Sequence, residues 1–136
     1  MLPIVKTIEL RTNDERQVLR LANVEKLSNG TGYRCELFVR SGGFSCDRPF
    51  YFDDSHFPDA VASLRQMNSG RVGQALIKSQ WESDYLCFRN DELGHVVVTG
   101  EIIEYTDPPQ SLKFAFETDQ TILTTLIADF ELLLNA

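Results

Sequence analysis

Histidine is scarce in this chain: His56 and His95 are the two present in 136 residues. Schemes that move protons through imidazole therefore have little to work with. Cysteine is nearly as rare, and Cys35, Cys46 and Cys87 make an odd count with no close spacing. That argues against a secreted disulfide framework and a paired-cysteine zinc site, and it fits a reducing cytosol. Each thiol falls in a strand-like segment, where cysteine acts as a small buried hydrophobe. No apolar run approaches the roughly 20 residues that a membrane span needs. The opening MLPIVKTIEL lacks the basic leader, long apolar stretch and small-residue cleavage site of a signal peptide. No Gly-rich phosphate loop or nucleophile elbow is present. These absences lead to an expectation of a cytoplasmic protein that is not an enzyme and needs no cofactor and no metal.

What the chain does contain is ordinary in amount and uneven in placement. Hydrophobic residues make up 43% and charged residues 24%, which suits a globular domain. Residues 1–136 are expected to form one domain that buries roughly two-thirds of its unfolded surface. The net charge is −7, yet residues 1–81 sum to +2 and the remainder, from Glu82 on, to −9. The acidity thus belongs to the second half. Such a field repels nucleic acid and favours a basic partner, besides helping solubility. The bases are scattered, so no nucleic-acid patch is visible.

Read in order, the pattern predicts an α+β fold: one antiparallel sheet of about seven strands, running as four strands, helix, three strands, helix. The first strand covers 3–10, with Ile4, Ile8 and Leu10 on one face and Lys6 among them. A polar turn at Asn13 and Asp14 follows. Residues 16–26 read as a second strand, although their imperfect alternation leaves a helix open. Asn29-Gly30 is a strong hairpin signal. Residues 33–40 alternate cleanly, and Phe44, Cys46, Phe50 and Phe52 continue a strand in which Pro49 marks an edge or a bulge. The period then changes: Phe57, Val61, Leu64 and Met67 form one helical stripe over 55–68, with Asp53, Asp54 and Ser55 as capping oxygens and Pro58 in the first turn. Residues 75–78 read equally as a short strand or as a connector. Strands near 82–89, 95–105 and 111–117 form a meander, with Gly100 suggesting a bulge. Ile122, Leu123, Leu126, Ile127, Phe130, Leu133 and Leu134 make the stripe of the last helix, capped by Thr118 or Asp119. Both helices are expected to lie on sheet faces. No internal repeat is visible.

Three chemistries are conceivable on residues alone. Asp53, Asp54 and His56 lie close enough in sequence to build a general base or a metal site, although acids before a helix are usually caps. His95, after Gly94, reads as an oriented structural imidazole. Nine Phe residues are enough to line an apolar pocket for a small molecule or peptide. Glu82, Asp84, Asp91, Glu92, Glu101, Glu104 and Asp107 sit on exposed strand faces and turns, where they would meet a protein partner. The single tryptophan, Trp81, reads as a core or rim anchor.

The strings NDELGHVVVTGEIIEY and SLKFAFETDQTIL carry a likeness to a known family. Leu93, Gly94, His95, Val96 and Gly100, then Leu112 and Phe114, then Asp119, Gln120 and Thr121, stand in the order seen in bacterial WapI-type immunity proteins. SGGFSCDRPFYF, before the first helix, also resembles that family's Gly-Gly-Phe segment. The likeness covers about residues 41–134. It implies an immunity protein of a polymorphic toxin system, which binds a cognate toxin domain in the cytoplasm and blocks it stoichiometrically. Many such toxins are basic nucleases. On this reading Gly94, His95, Gly100, Asp119 and Gln120 are fold determinants, and the seven late acids are the contact surface.

Overall fold

The computed structural model describes residues 6–12 and 14–135. Four strands open the chain: β1 (Lys6–Arg11), β2 (Gln17–Lys26), β3 (Gly32–Ser41) and β4 (Phe44–Asp53). After α1 (Phe57–Asn68) come β5 (Gln74–Lys78), β6 (Tyr85–Asn90), β7 (His95–Glu104) and β8 (Gln110–Asp119), and α2 (Thr121–Leu134) closes the chain. The α+β class and the antiparallel pairing agree with the sequence pattern. The number and grouping of strands do not. Eight strands form two four-stranded meanders, β1-β2-β3-β4 and β5-β6-β7-β8. The extra strand is β5, the stretch that read equally as a connector. A helix between β4 and β5 lets the chain leave the first sheet and begin a second. The order of four strands and a helix thus runs twice, although the sequence shows no repeat. Ile4 and Asn13 lie outside the described residues.

Alternation explains each sheet's buried face. Tyr33, Cys35, Leu37 and Val39 of β3 point inward, as do Leu86 and Phe88 of β6 and Val96 and Val98 of β7. In β2 the phase slips between Ala22 and Glu25, where Asn23 takes φ 54°. Leu19 and Leu21 are buried before the slip and Val24 after it. A short amide side chain tolerates that backbone, and the slip is why this strand's alternation looked imperfect. No slip occurs at Gly100: β7 pairs in unbroken register with β6 and β8, against the expected bulge. Ile102, not Ile103, continues the buried face. Glycine is required there because a Cβ would stand 2.6 Å from the Phe114 ring and 2.7 Å from the Tyr85 carbonyl oxygen.

Both sheets and both helices share one core. Seven of the nine Phe residues are buried in it, and Phe57 of α1 meets Phe130 of α2 edge-on at 5.3 Å. The helices pack on each other, α1 also beside β5 and α2 beside β1, so each reaches an edge strand. Gln120 joins them, its side-chain amide donating to the carbonyls of Met67 (3.1 Å) and Asn68 (3.3 Å) at the end of α1. Among the described residues no helix is long and apolar enough to cross a membrane.

Candidate binding groove between α1 and β5

The chain leaves β4 through Asp53, and that carboxylate organises the entry to α1. Its Oδ1 accepts from the His56 backbone N–H (3.1 Å), the His56 Nδ1 (2.7 Å) and the Ser55 hydroxyl (3.1 Å). Its Oδ2 accepts from the Gln80 N–H at 3.0 Å, which fastens the strand exit after β5 to the helix entry. Burial by itself would push the Asp53 carboxyl up, but bonds from the His56 ring, Gln80, the His56 backbone and Ser55 more than offset it, and the group lies below its ordinary range. With Nδ1 committed to Asp53, the imidazole presents Nε2 outward. Of the three residues Asp53, Asp54 and His56, two are therefore brought together. Asp54 instead uses its backbone N–H, donated to the Thr31 carbonyl at 3.2 Å. Among the described residues no cluster of three His, Cys, Asp or Glu side chains is placed to hold a metal ion.

His56 stands at one end of a groove of about 520 Å³ between α1 and β5. Asp59, Ala60 and Ser63 supply the helix wall; Gln74, Leu76 and Lys78 supply the strand wall, with Gln80 beyond. The strand wall follows from the period of two: Ala75 and Ile77 are in the core, so their neighbours face out. Leu76 is 42% exposed there. Asn90 pins the start of β5, its Oδ1 accepting the Gly73 N–H at 2.8 Å and its amide donating to the Arg71 carbonyl at 2.9 Å. Just past β5, the Trp81 side chain is 82% exposed while its backbone N–H is held by the Ser79 hydroxyl at 3.1 Å. Trp81, Tyr51 and Glu82 border a smaller recess of about 130 Å³.

The seven acids expected to form a contact surface are dispersed. Glu82, Asp84 and Glu104 gather near Arg48, with Glu104 at 3.7 Å from that guanidinium. Asp84 is only 4% exposed, and its oxygens accept the Ile103 N–H (2.8 Å) and the Tyr105 hydroxyl (2.6 Å). It ties β6 to β7 and presents nothing to a partner. Burial and then the charge of Asp84 push the Glu82 carboxyl up. Asp107 lies in the following turn, beyond β7. Asp91 and Glu92 occupy the turn before β7, at the opposite end of a ten-residue strand about 30 Å long. Glu101 is on the solvent face, paired in register with Tyr85 and Lys113.

Of the residues expected to fix the fold, Gly94 has φ 84° in the β6–β7 turn, a backbone that side chains resist. Asp91 Oδ1 closes that turn by accepting the N–H groups of Leu93 (2.8 Å) and His95 (3.0 Å), and Oδ2 meets the His95 Nδ1 at 3.1 Å. Asp119 accepts the Thr121 N–H at 2.9 Å at the start of α2. The thiols stay free; burial pushes Cys35 up to about 12. Sequence reasoning read Asn90 with Asp91 as a turn and missed its bonds at the start of β5; it did not single out Leu76 or Ser79. A lone Asn at a strand end and a five-residue strand carry too little pattern to be read. The chain has no significant match to any family model, curated protein or solved structure.

Chemically, the groove offers one apolar residue on each wall, Ala60 and Leu76, among polar side chains of both charge signs. An imidazole fixed by a carboxylate, one lysine, one aspartate and two amides can orient a peptide-like ligand. The exposed indole beside it supplies apolar contact area on a fixed backbone.

Proposed function

We propose that this chain is an inhibitory binding protein, an immunity protein of the WapI type, which neutralises a cognate toxin domain in the cytoplasm by one-to-one occlusion. It acts by surface contact and breaks no covalent bond. The observation that carries this reading is Trp81. A tryptophan 82% exposed on a backbone fastened by Ser79, bordering the small recess next along the chain from the groove residue Gln80, has the character of an interface anchor. Leu76 extends the apolar area, while Asp59 lines the groove and Glu82 the recess. These acids and the −9 second half favour a basic partner such as a nuclease domain. We place the contact surface here and leave the buried Asp84 out of it.

The groove also favours a second reading, a small-molecule or peptide binder of another role, because its volume lies in the range of ligand sites. The Phe residues that suggested such a pocket line none of it; seven of the nine fill the core. The two readings separate in one experiment. A candidate toxin domain taken from the neighbouring reading frame is expressed with and without the chain, and growth and complex formation are followed. Rescue with a one-to-one complex is expected. Trp81→Ala should keep the fold and weaken the complex by at least about 2 kcal/mol, which is roughly 30-fold in Kd. A toxin that arrests growth equally in the presence of the chain overturns the proposal.

A further inference from the structure

We infer that the partner docks by strand addition: an extended, positively charged segment of the toxin domain pairs with the free edge of β5. This rests on reading the chain as a protein binder. β5 is an edge strand, paired only to β6. Which of its backbone groups face outward follows from the ladder. The Asn90 N–H donates to the Gly73 carbonyl at 3.3 Å, and these two residues continue the printed register of Gln74 with Arg89. Bonded pairs alternate in an antiparallel ladder. Ala75 and Ile77 therefore bond to Phe88 and Leu86, and the N–H and C=O groups of Gln74, Leu76 and Lys78 point away from β6. The other side of β6 agrees: the Asp91 N–H donates to His95, so alternation assigns Arg89 and Cys87 to β7 and leaves Phe88 and Leu86 for β5.

Gln74, Leu76 and Lys78 are the same three residues that form the strand wall of the groove. No backbone bond from another element reaches them among the described residues. The other sheet edges are guarded. α2 packs beside β1, Pro49 removes a donor from β4, and the Ser41 hydroxyl donates to the Ala115 carbonyl of β8 at 3.3 Å. α1 flanks β5 as well, but leaves the groove of about 520 Å³ between them. The strand's short length and Lys78 limit indiscriminate pairing but leave three alternate residues with outward backbone groups. The occupant's chemistry follows from the walls. Asp59 in the groove, Glu82 at the neighbouring recess and a molecular charge of −7, set against Lys78 as the one lysine on the walls, select lysine or arginine. Ala60 and Leu76 select apolar side chains at alternate positions.

The test uses the full chain and two octapeptides, one alternating lysine with valine, the other glutamate with valine, with amide hydrogen exchange read by NMR. Strand addition has a period-two signature. The lysine peptide should slow exchange at Gln74, Leu76 and Lys78 by about tenfold or more, while Ala75 and Ile77, already bonded to β6, stay unchanged. Leu76→Pro should abolish this protection without disturbing the β5–β6 ladder, which does not use that N–H. Asp59→Lys, a surface change that leaves the strand intact, should weaken the lysine peptide about tenfold and keeps the test decisive if the proline variant misfolds. Protection without alternation, or equal protection by the glutamate peptide, overturns the inference. A toxin domain neutralised with no change at β5 sinks strand addition and leaves the inhibitory reading standing. A lysine peptide that adds to β5 while no toxin is neutralised does the reverse.

Discussion

Single residues in this molecule hold several elements at once, and Asp53 shows how much rests on one carboxylate. It caps the turn into α1, holds the His56 ring and ties down Gln80. Its folded carboxyl lies below the ordinary range, so its stabilisation is complete above the unfolded value of about 3.9 and is lost as pH falls through the lower folded value. Asp53→Asn should therefore cost about 1–3 kcal/mol at neutral pH, because an amide presents donors where His56 and Gln80 also donate. It should also flatten the acid limb of the stability curve; urea titrations between about pH 2 and 7 measure both. A variant as acid-labile as the parent would show that other carboxylates set that limb. Gly100 makes a second residue-scale case. Alanine there meets the Phe114 ring and a backbone oxygen at under 3 Å, and Gly100→Ala should lose about 1–3 kcal/mol in thermal unfolding through overpacking.

At the scale of elements, the link between the helices is narrow. Gln120 reaches two carbonyls at the end of α1, and Arg65 meets Glu131 at 3.0 Å on the surface, where an ion pair contributes little. Gln120→Ala should cost about 1–2 kcal/mol and raise amide exchange in the last turn of α1 before the rest of that helix, since both carbonyls lose the Gln120 amide and Met67 keeps the Gly70 N–H. How far these elements were legible in sequence depended on pattern length. The α2 stripe spans four turns and β3 alternates over eight residues, and both lie where the sequence places them. β5 has five residues, too few to separate strand from connector. Gly100 misled because a strand glycine has two physical causes, a bulge or a close approach, and the ring of Phe114 that decides between them lies fourteen residues on. Periodicity also says which face of a strand is buried but not which sheet the strand joins, so two sheets read as one. The groove depended on that division. Asp53 and His56 were seen as neighbours; the role of Gln80 was not, because it comes from a bond across 27 residues.

The whole molecule carries its charge as a broad field more than as a patch. The late acids are split between the two ends of β7 and its solvent face, and Asp84 is withdrawn into internal bonds, yet the sum remains −7. A dispersed field of this kind acts at a distance, on encounter, and is screened as the Debye length shrinks from about 10 Å at 0.1 M salt to about 3 Å at 1 M. Trp81 and the β5 edge act only in contact. The two contributions should separate kinetically in complexes with the proposed toxin partner. Raising salt from about 0.05 to about 0.5 M should lower the association rate at least about tenfold and leave dissociation within about twofold. Trp81→Ala should do the opposite, speeding dissociation and sparing association. Surface plasmon resonance across that salt range reads both rates. If salt acted mainly on dissociation, the acids would be making close desolvated pairs with the partner. The contact surface would then have to move away from the groove, toward the carboxylates gathered at the end of β7 around Arg48.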